Sequence, residues 1–79
     1  MKQKEMSLAT KRELAAALKK LMAVKPINKI TVRELVAPCG MNRNSFYYHF
    51  EDIYALFKWM VEAEAVEVVK QYDLMMDYH

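Results

Sequence analysis

The sequence predicts an all-α fold of three helices followed by a longer fourth helix, on three observations. Glycine occurs once and proline twice in 79 residues, and both are residues that interrupt helices. Hydrophobic residues make up 54% of the chain, which favours a folded core over disorder. Apolar residues recur at helical spacing in segments that proline, glycine and helix-capping residues separate. A chain of this length forms one domain.

The first helix is predicted over residues 10–24. Thr10 and Glu13 match a capping box, in which each side chain accepts a hydrogen bond from the other residue's backbone N–H. Four apolar residues at helical spacing define its buried face: Leu14, Leu18, Leu21 and Met22. Pro26 ends the helix, because proline disfavours helical geometry in the residue before it. Residues 1–9 are expected to form a flexible N-terminal arm.

A second, short helix is predicted after Thr31, which forms another capping-box pattern with Glu34. Three apolar residues are expected to face inward: Val32, Leu35 and Val36. Pro38 and Gly40 end the helix after about two turns. Gly40 is the only glycine, and a tight turn with positive φ is least costly for glycine.

The third and fourth helices follow at once. Asn42 is a good cap for a helix over residues 43–49, with Phe46 and Phe50 on one face. The acidic pair at 51–52 is predicted to begin the fourth helix, because acids in a first turn complement the helix dipole. The apolar stripe of the fourth helix consists of Ile53, Leu56, Phe57, Met60 and Val61. The periodicity continues more weakly through Val68, Tyr72, Met75 and Met76.

The second and third helices, joined by a turn at Gly40, form the arrangement of a helix-turn-helix. In that motif the second of the two helices enters the major groove of DNA with its N-terminal residues foremost. The predicted architecture is therefore a homeodomain-like three-helix domain with an additional helix. Four consecutive polar residues start the groove-entering helix: Asn42, Arg43, Asn44 and Ser45. Arginine can bind guanine bidentately and asparagine can bind adenine, although a solvated helix cap remains the alternative for this run alone.

The third helix ends in Tyr47, Tyr48 and His49. Two adjacent tyrosines point to different sides of a helix, so we expect at least one to be exposed and one to be half-buried against the fourth helix. A hydroxyl on a stiff ring suits a phosphate contact. His49 is expected either to contact a phosphate or to cap the end of the helix.

Charge is distributed unevenly along the chain. Residues 1–45 hold ten Lys and Arg against three acids, a net charge of +7, whereas residues 46–79 hold two against seven, a net charge of −5. A basic first half suits a domain with one side turned to a polyanion. Ordinary solvated helix charge remains the alternative.

The stretch from Ile30 to Phe50 resembles the signature of TetR-family regulators. The shared features are a Thr-Val opening, a two-turn helix, a Gly-apolar turn, a polar start of the recognition helix and a Tyr-Tyr-His-Phe ending. The resemblance covers residues 10–60, and the runs 25–32 and 42–54 are most similar to dihydroxyacetone-kinase-type regulators. It implies a bacterial transcription regulator, a repressor that binds an operator in double-stranded DNA.

The resemblance also implies roles for individual residues. Thr31 and Arg33 would contact backbone phosphates beside the second helix. The residues that would face the groove are Asn42, Arg43, Asn44 and Ser45. Those that would hold the flanking phosphates are Tyr47, Tyr48 and His49.

The chain departs from the family pattern at several places. Pro26 stands where glycine is usual, Pro38 lies near the end of the second helix, and Ile53 replaces a common lysine, which removes one phosphate clamp. Family members bind an effector and dimerise through a C-terminal helical domain, for which 79 residues are too few. We therefore expect a homodimer through residues 61–79, an extension of the fourth helix, or through a missing C-terminal domain. The small-molecule effector stays unidentified, and no pocket for it is expected in this chain.

Other classes of function are disfavoured. An enzyme is not expected, because the sequence has no paired carboxylates around a cleft, no Ser/His/Asp set and no phosphate-cradling glycine loop. Cys39, His49 and His79 lack metal-ligand spacing, so Cys39 is expected to pack as a small hydrophobic residue, with no metal and no cofactor. A lone cysteine and the lack of a long apolar run predict a cytoplasmic protein without a membrane partner. The alternative function is a helical protein-interaction module that uses its Tyr- and Met-rich surface and binds no DNA.

Overall fold

The computed structural model describes residues 2–77, and the side chains of residues 8–76. Over residues 2–77 the chain forms four α-helices and no strand. The helices are α1 (Lys2–Met22), α2 (Val32–Val36), α3 (Arg43–His49) and α4 (Ile53–Asp77). Single turns of 3₁₀ helix at Ile27–Lys29 and Ala37–Cys39 connect them. The predicted all-α fold, with a fourth helix longer than the first three, is confirmed.

The start of α1 differs from the prediction. The helix begins at Lys2, so the predicted start and capping box at Thr10 are wrong, and residues 2–9, expected as an arm, are helical. The Thr-x-x-Glu pattern lies inside α1, because the residues before it also favour a helix. The helix ends at Met22, two residues before the predicted end at Val24, whose side chain is 79% exposed. Met1 lies outside the described residues.

One hydrophobic core joins all four helices. Its five fully buried side chains are Leu14, Leu18, Leu35, Phe46 and Leu56, and the other buried members are Ala15, Ala17, Ile30, Val36, Phe50 and Met60. Burying a side chain of this size stabilises the fold by about 1.5–3 kcal/mol. Val61 was predicted in the stripe of α4 but is 45% exposed, because α1 meets α4 along the face of Met60, Ala63 and Glu64 instead.

Local chemistry fixes the short helix α2 at both ends. The capping box is confirmed: the Thr31 hydroxyl accepts from the Glu34 N–H at 3.2 Å, and the Glu34 carboxylate accepts from the Thr31 N–H at 2.9 Å. Pro38 lies in the 3₁₀ turn after α2, which ends the α-helical pattern at Val36.

The helix α4 begins at Ile53 and extends beyond the core. Asp52 is its cap rather than part of its first turn, and the Asp52 carboxylate accepts from the Ala55 N–H at 2.8 Å. All residues at 61–76 are exposed. None of the helices within residues 2–77 combines the length and the hydropathy needed to cross a bilayer. Tyr78 and His79 lie outside the described residues.

Candidate DNA interface

The turn between α2 and α3 sets the direction of α3. Gly40 has φ +66°, in the left-handed region that favours glycine. Its N–H donates to the Ala37 carbonyl at 3.2 Å, and the Met41 N–H donates to the Val36 carbonyl at 3.0 Å. These two bonds form a Schellman motif, which satisfies carbonyls at the helix end and reverses the chain. α2 and α3 are therefore two separate helices joined at an angle, as a helix-turn-helix requires.

The start of α3 presents the predicted polar residues to solvent. Asn42, Arg43 and Asn44 are exposed, and Ser45 is half-buried. The Asn42 side chain accepts from the Ser45 N–H at 2.9 Å, so Asn42 is the cap of α3. Phe46, one turn after the cap Asn42, is fully buried and anchors α3 to the core. The polar residues therefore lie on a helix whose orientation is fixed by its packing against the core.

The two tyrosines of α3 are both exposed, Tyr47 at 54% and Tyr48 at 83%. The prediction that one of them is half-buried against α4 is therefore wrong. The ring of Tyr47 instead lies edge-on to that of Phe46 in its own helix, with 5.3 Å between the ring centroids. Tyr48 packs edge-on against His49 at 5.1 Å. His49 is half-buried, and burial, with a smaller contribution from the Lys11 charge, lowers the pKa of its imidazole.

The helix α2 contributes Thr31 and Arg33, whose side chains are both exposed. Arg33 and Val36 line a concave surface with the start of α3, formed by Asn42, Arg43 and Asn44. The structure therefore brings Arg33 and Arg43 to one depression between α2 and α3. The Thr31 hydroxyl lies 3.3 Å from the Glu34 carboxylate and takes part in the capping box.

Two residues of α1, Thr10 and Lys11, also lie next to α3 or the residue after it, and neither was predicted from the sequence to belong to this site. Thr10 lines a second concave surface with Asn44, Ser45, Tyr48 and His49. The Lys11 ammonium lies 5.8 Å from the centre of the Phe50 ring. The uneven charge of the first half was the only sequence signal for Lys11, because the proximity of α1 to α3 is a tertiary contact.

Neighbouring groups are held by local pairs. The carboxylate of Glu34 pairs with the Lys25 ammonium, which lowers the pKa of Glu34, and the Thr31 N–H lowers it further. Cys39 is half-buried against the core, as predicted, and its thiol donates to the Glu13 carbonyl at 3.6 Å. Burial raises the pKa of that thiol.

A groove open to solvent runs between α1 and α4. Ala15 and Ala16 line it on one side, and Trp59, Met60 and Ala63 line it on the other. The ion pair between Lys19 and Glu64, at 3.0 Å, joins the two helices there.

One comparison with known proteins, a family model, agrees with this geometry. No significant match was found among curated proteins or among solved structures. The family described as "Bacterial regulatory proteins, tetR family" matches residues 14–60, which extend from the first buried leucine of α1 to the last core residue of α4. That match spans more than half of the chain and includes the whole helix-turn-helix, so the chain belongs to the TetR family of DNA-binding transcription regulators.

Proposed function

We propose that the chain binds a specific double-stranded DNA sequence with α3 in the major groove, and that it represses transcription at that sequence. The observation that carries this proposal is the exposed polar run 42–44 at the start of a helix that the buried Phe46 anchors to the core. A short helix with polar residues at its start and apolar residues beneath is what major-groove reading requires. The repressor role rests on the resemblance to family repressors, and the site of action is then the bacterial cytoplasm.

Arg43 and Asn44 are the proposed base readers. Both are exposed, and their side chains appear in none of the hydrogen bonds within residues 8–76. Arg43 can therefore offer its guanidinium to guanine, and Asn44 can offer both amide groups to adenine. Asn42 differs, because its oxygen already accepts from the Ser45 N–H, which leaves its NH₂ group for an acceptor on DNA.

The flanking residues are proposed to contact the DNA backbone. Arg33 shares a depression with Arg43, so the two guanidinium groups can reach the same stretch of duplex. Tyr48 is more exposed than Tyr47 and suits a phosphate contact, and Tyr47 and His49 are its neighbours in α3. The hydroxyl of Thr31 would have to turn from Glu34 toward a phosphate.

A homodimer is the proposed binding unit. One short helix makes too few contacts for strong specificity, and dimers of this motif read two half-sites. The dimer would form through residues 61–76 of α4 or through a C-terminal domain. The exposed apolar residues that support the first route are Val61, Val66, Val68, Val69, Tyr72, Leu74, Met75 and Met76. Sedimentation at several protein concentrations tests this route, and a strict monomer at all of them would exclude it.

We also propose membership of the dihydroxyacetone-kinase-type subgroup, on the two sequence runs 25–32 and 42–54. In the structure, residues 25–32 form the segment with the 3₁₀ turn before α2 and the first residue of α2. Residues 42–54 form the cap of α3, α3 itself and the start of α4. Binding of the chain to DNA upstream of dihydroxyacetone kinase genes, in preference to other promoters of the same genome, would support the assignment. Equal binding to all of them would contradict it.

The experiment that tests DNA reading is selection of a duplex from a random pool, followed by affinity measurements with two variants. Arg43→Ala should weaken binding to the selected duplex by about 1–3 kcal/mol and relax the preference at one base pair. Lys20→Ala, at an exposed position near the end of α1 and outside the proposed DNA and dimer surfaces, is the control and should bind as the wild type does. Unchanged affinity of Arg43→Ala would count against α3 as the recognition helix.

The second candidate function is a helical protein-interaction module, favoured by the exposed apolar side chains at 61–76. Salt separates the two candidates. Phosphate contacts release counterions, so DNA affinity falls steeply as salt rises, whereas binding through an apolar surface does not. A chain that selects no duplex and captures its partner equally well at high salt would fit the second candidate.

A further inference from the structure

The DNA-facing surface continues from α3 onto α1. Thr10 of α1 lines the same concave surface as Asn44, Ser45, Tyr48 and His49 of α3. These residues are more than thirty positions apart in sequence, and only the packing of α1 across the helix-turn-helix brings them together. A duplex that meets the exposed face of α3 would therefore also approach this part of α1.

Lys11, the residue after Thr10, places a cation close to the end of α3. Its ammonium lies 5.8 Å from the centre of the Phe50 ring, directly after the end of α3, and its charge reaches His49. An aromatic ring attracts a cation over its face and limits the conformations of the lysine side chain. Lys11 is therefore held beside α3 before any ligand arrives.

Among residues 8–76, Lys11 forms no ion pair with a carboxylate, since none lies within 4.0 Å of its ammonium. Lys19 and Lys25 differ, because they pair with Glu64 and Glu34. A lysine held in this way, with no carboxylate of residues 8–76 within 4.0 Å, is suited to bind an external anion such as a DNA phosphate.

We propose that Lys11 of α1 binds a backbone phosphate of the DNA that α3 reads, and so extends the interface beyond the helix-turn-helix. This inference rests on the proposed function. The contact positions the duplex and carries no sequence information, because phosphates are the same at every base pair.

The test compares Lys11→Met with Lys20→Met in the full 79-residue chain. Methionine keeps a long unbranched stem and a good helix propensity. Lys20 lies nine residues further along α1, on its opposite face, and is the matched control. The probes are the duplex selected by the wild type and a mixed-sequence duplex of equal length. Far-UV circular dichroism and thermal unfolding verify that both variants fold.

Loss of one phosphate contact should reduce the slope of log affinity against log salt by about 0.9. The ratio of wild-type to Lys11→Met affinity should then be about 3.5-fold larger at 50 mM than at 200 mM salt. The change should be the same on both duplexes, Lys11→Arg should restore the slope, and Lys20→Met should keep it. A Lys11→Met slope equal to that of the wild type would overturn the inference.

The Arg43→Ala variant separates the two levels of failure. If Arg43→Ala loses preference for the selected duplex while Lys11→Met keeps the wild-type slope, the α1 contact is wrong and the recognition helix stands. If the wild type binds neither duplex, the proposed function and the α1 contact fall together.

Discussion

Replacing Gly40 with alanine isolates the backbone cost of the turn between α2 and α3. Gly40 has φ +66°, and a Cβ added there would meet no heavy atom within 4 Å. The left-handed conformation costs a residue with a side chain about 1–2 kcal/mol. Alanine offsets about 0.4–1 kcal/mol of that cost, because it reduces the freedom of the unfolded chain. The free energy of unfolding should therefore fall by about 1 kcal/mol.

The assay is thermal unfolding followed by far-UV circular dichroism and by the fluorescence of Trp59, the only tryptophan. Trp59 is half-buried, and the centre of its ring lies 6.2 Å from the centre of the Phe50 ring, so its emission reports on the core. A loss of 1 kcal/mol lowers the Tm of a domain of this size by about 4–8 °C.

Two further variants at the same position sharpen the result. Gly40→Asn should cost less than Gly40→Ala, because asparagine tolerates the left-handed region better. A semisynthetic chain with D-alanine at position 40 should be at least as stable as the wild type, since that conformation suits a D-residue and the space is open. A Gly40→Ala chain as stable as the wild type, or a destabilised D-alanine chain, would contradict a left-handed turn in open space.

Three more predictions concern the ends of the helices and one titrating group. Thr31→Ala removes a cap of α2 and should lower the free energy of unfolding by about 0.5–2 kcal/mol, measured by urea titration, whereas Thr31→Ser should nearly preserve it. Asn42→Asp keeps an oxygen for the Ser45 N–H, so stability should persist while DNA affinity falls through repulsion of phosphate; equal losses of both would contradict the separate roles. The pKa of His49 is lower in the folded chain than its ordinary value of 6.5, so the unfolded chain binds more protons just below pH 6.5. The contribution of His49 to stability is therefore complete above pH 6.5 and decreases as the pH falls through that value, and His49→Gln should remove this part of the pH dependence in urea titrations from pH 7.5 to pH 5.5; an unchanged profile would contradict it.

The local signals that predicted the fold were those in which one residue satisfies a backbone need nearby. Thr31 with Glu34 forms the predicted capping box, Gly40 adopts the predicted positive φ, and Asn42 caps the predicted third helix. Each of these depends on three or four residues of sequence, so the sequence alone contains the information.

The predictions of the start of α1 and of the burial of Val61 were wrong, because each pattern was compatible with two structures. Thr10 and Glu13 fit a capping box, but the same residues also fit the interior of a helix, and α1 begins at Lys2. Val61 fits the apolar stripe of α4, but whether a residue of the stripe is buried depends on which face of α4 the other helices meet. Burial is a tertiary property, which periodicity indicates only where a partner exists.

The candidate site likewise contains residues that could be predicted from the sequence and residues that could not. The exposed run 42–44 could be predicted, because caps and polar residues at a helix start are local features. The positions of Thr10 and Lys11 beside α3 could not, because they depend on the packing of α1 across the helix-turn-helix. The depression shared by Arg33 and Arg43 likewise exists only once the turn at Gly40 is formed.

The most direct test of α3 as the reading element is a map of backbone amide chemical shifts while the isotope-labelled chain is titrated with its selected duplex. The largest changes are expected at residues 42–48, with much smaller changes at residues 61–76, which belong to the exposed part of α4. A map in which residues 61–76 shift and residues 42–48 stay unchanged would contradict DNA reading by α3.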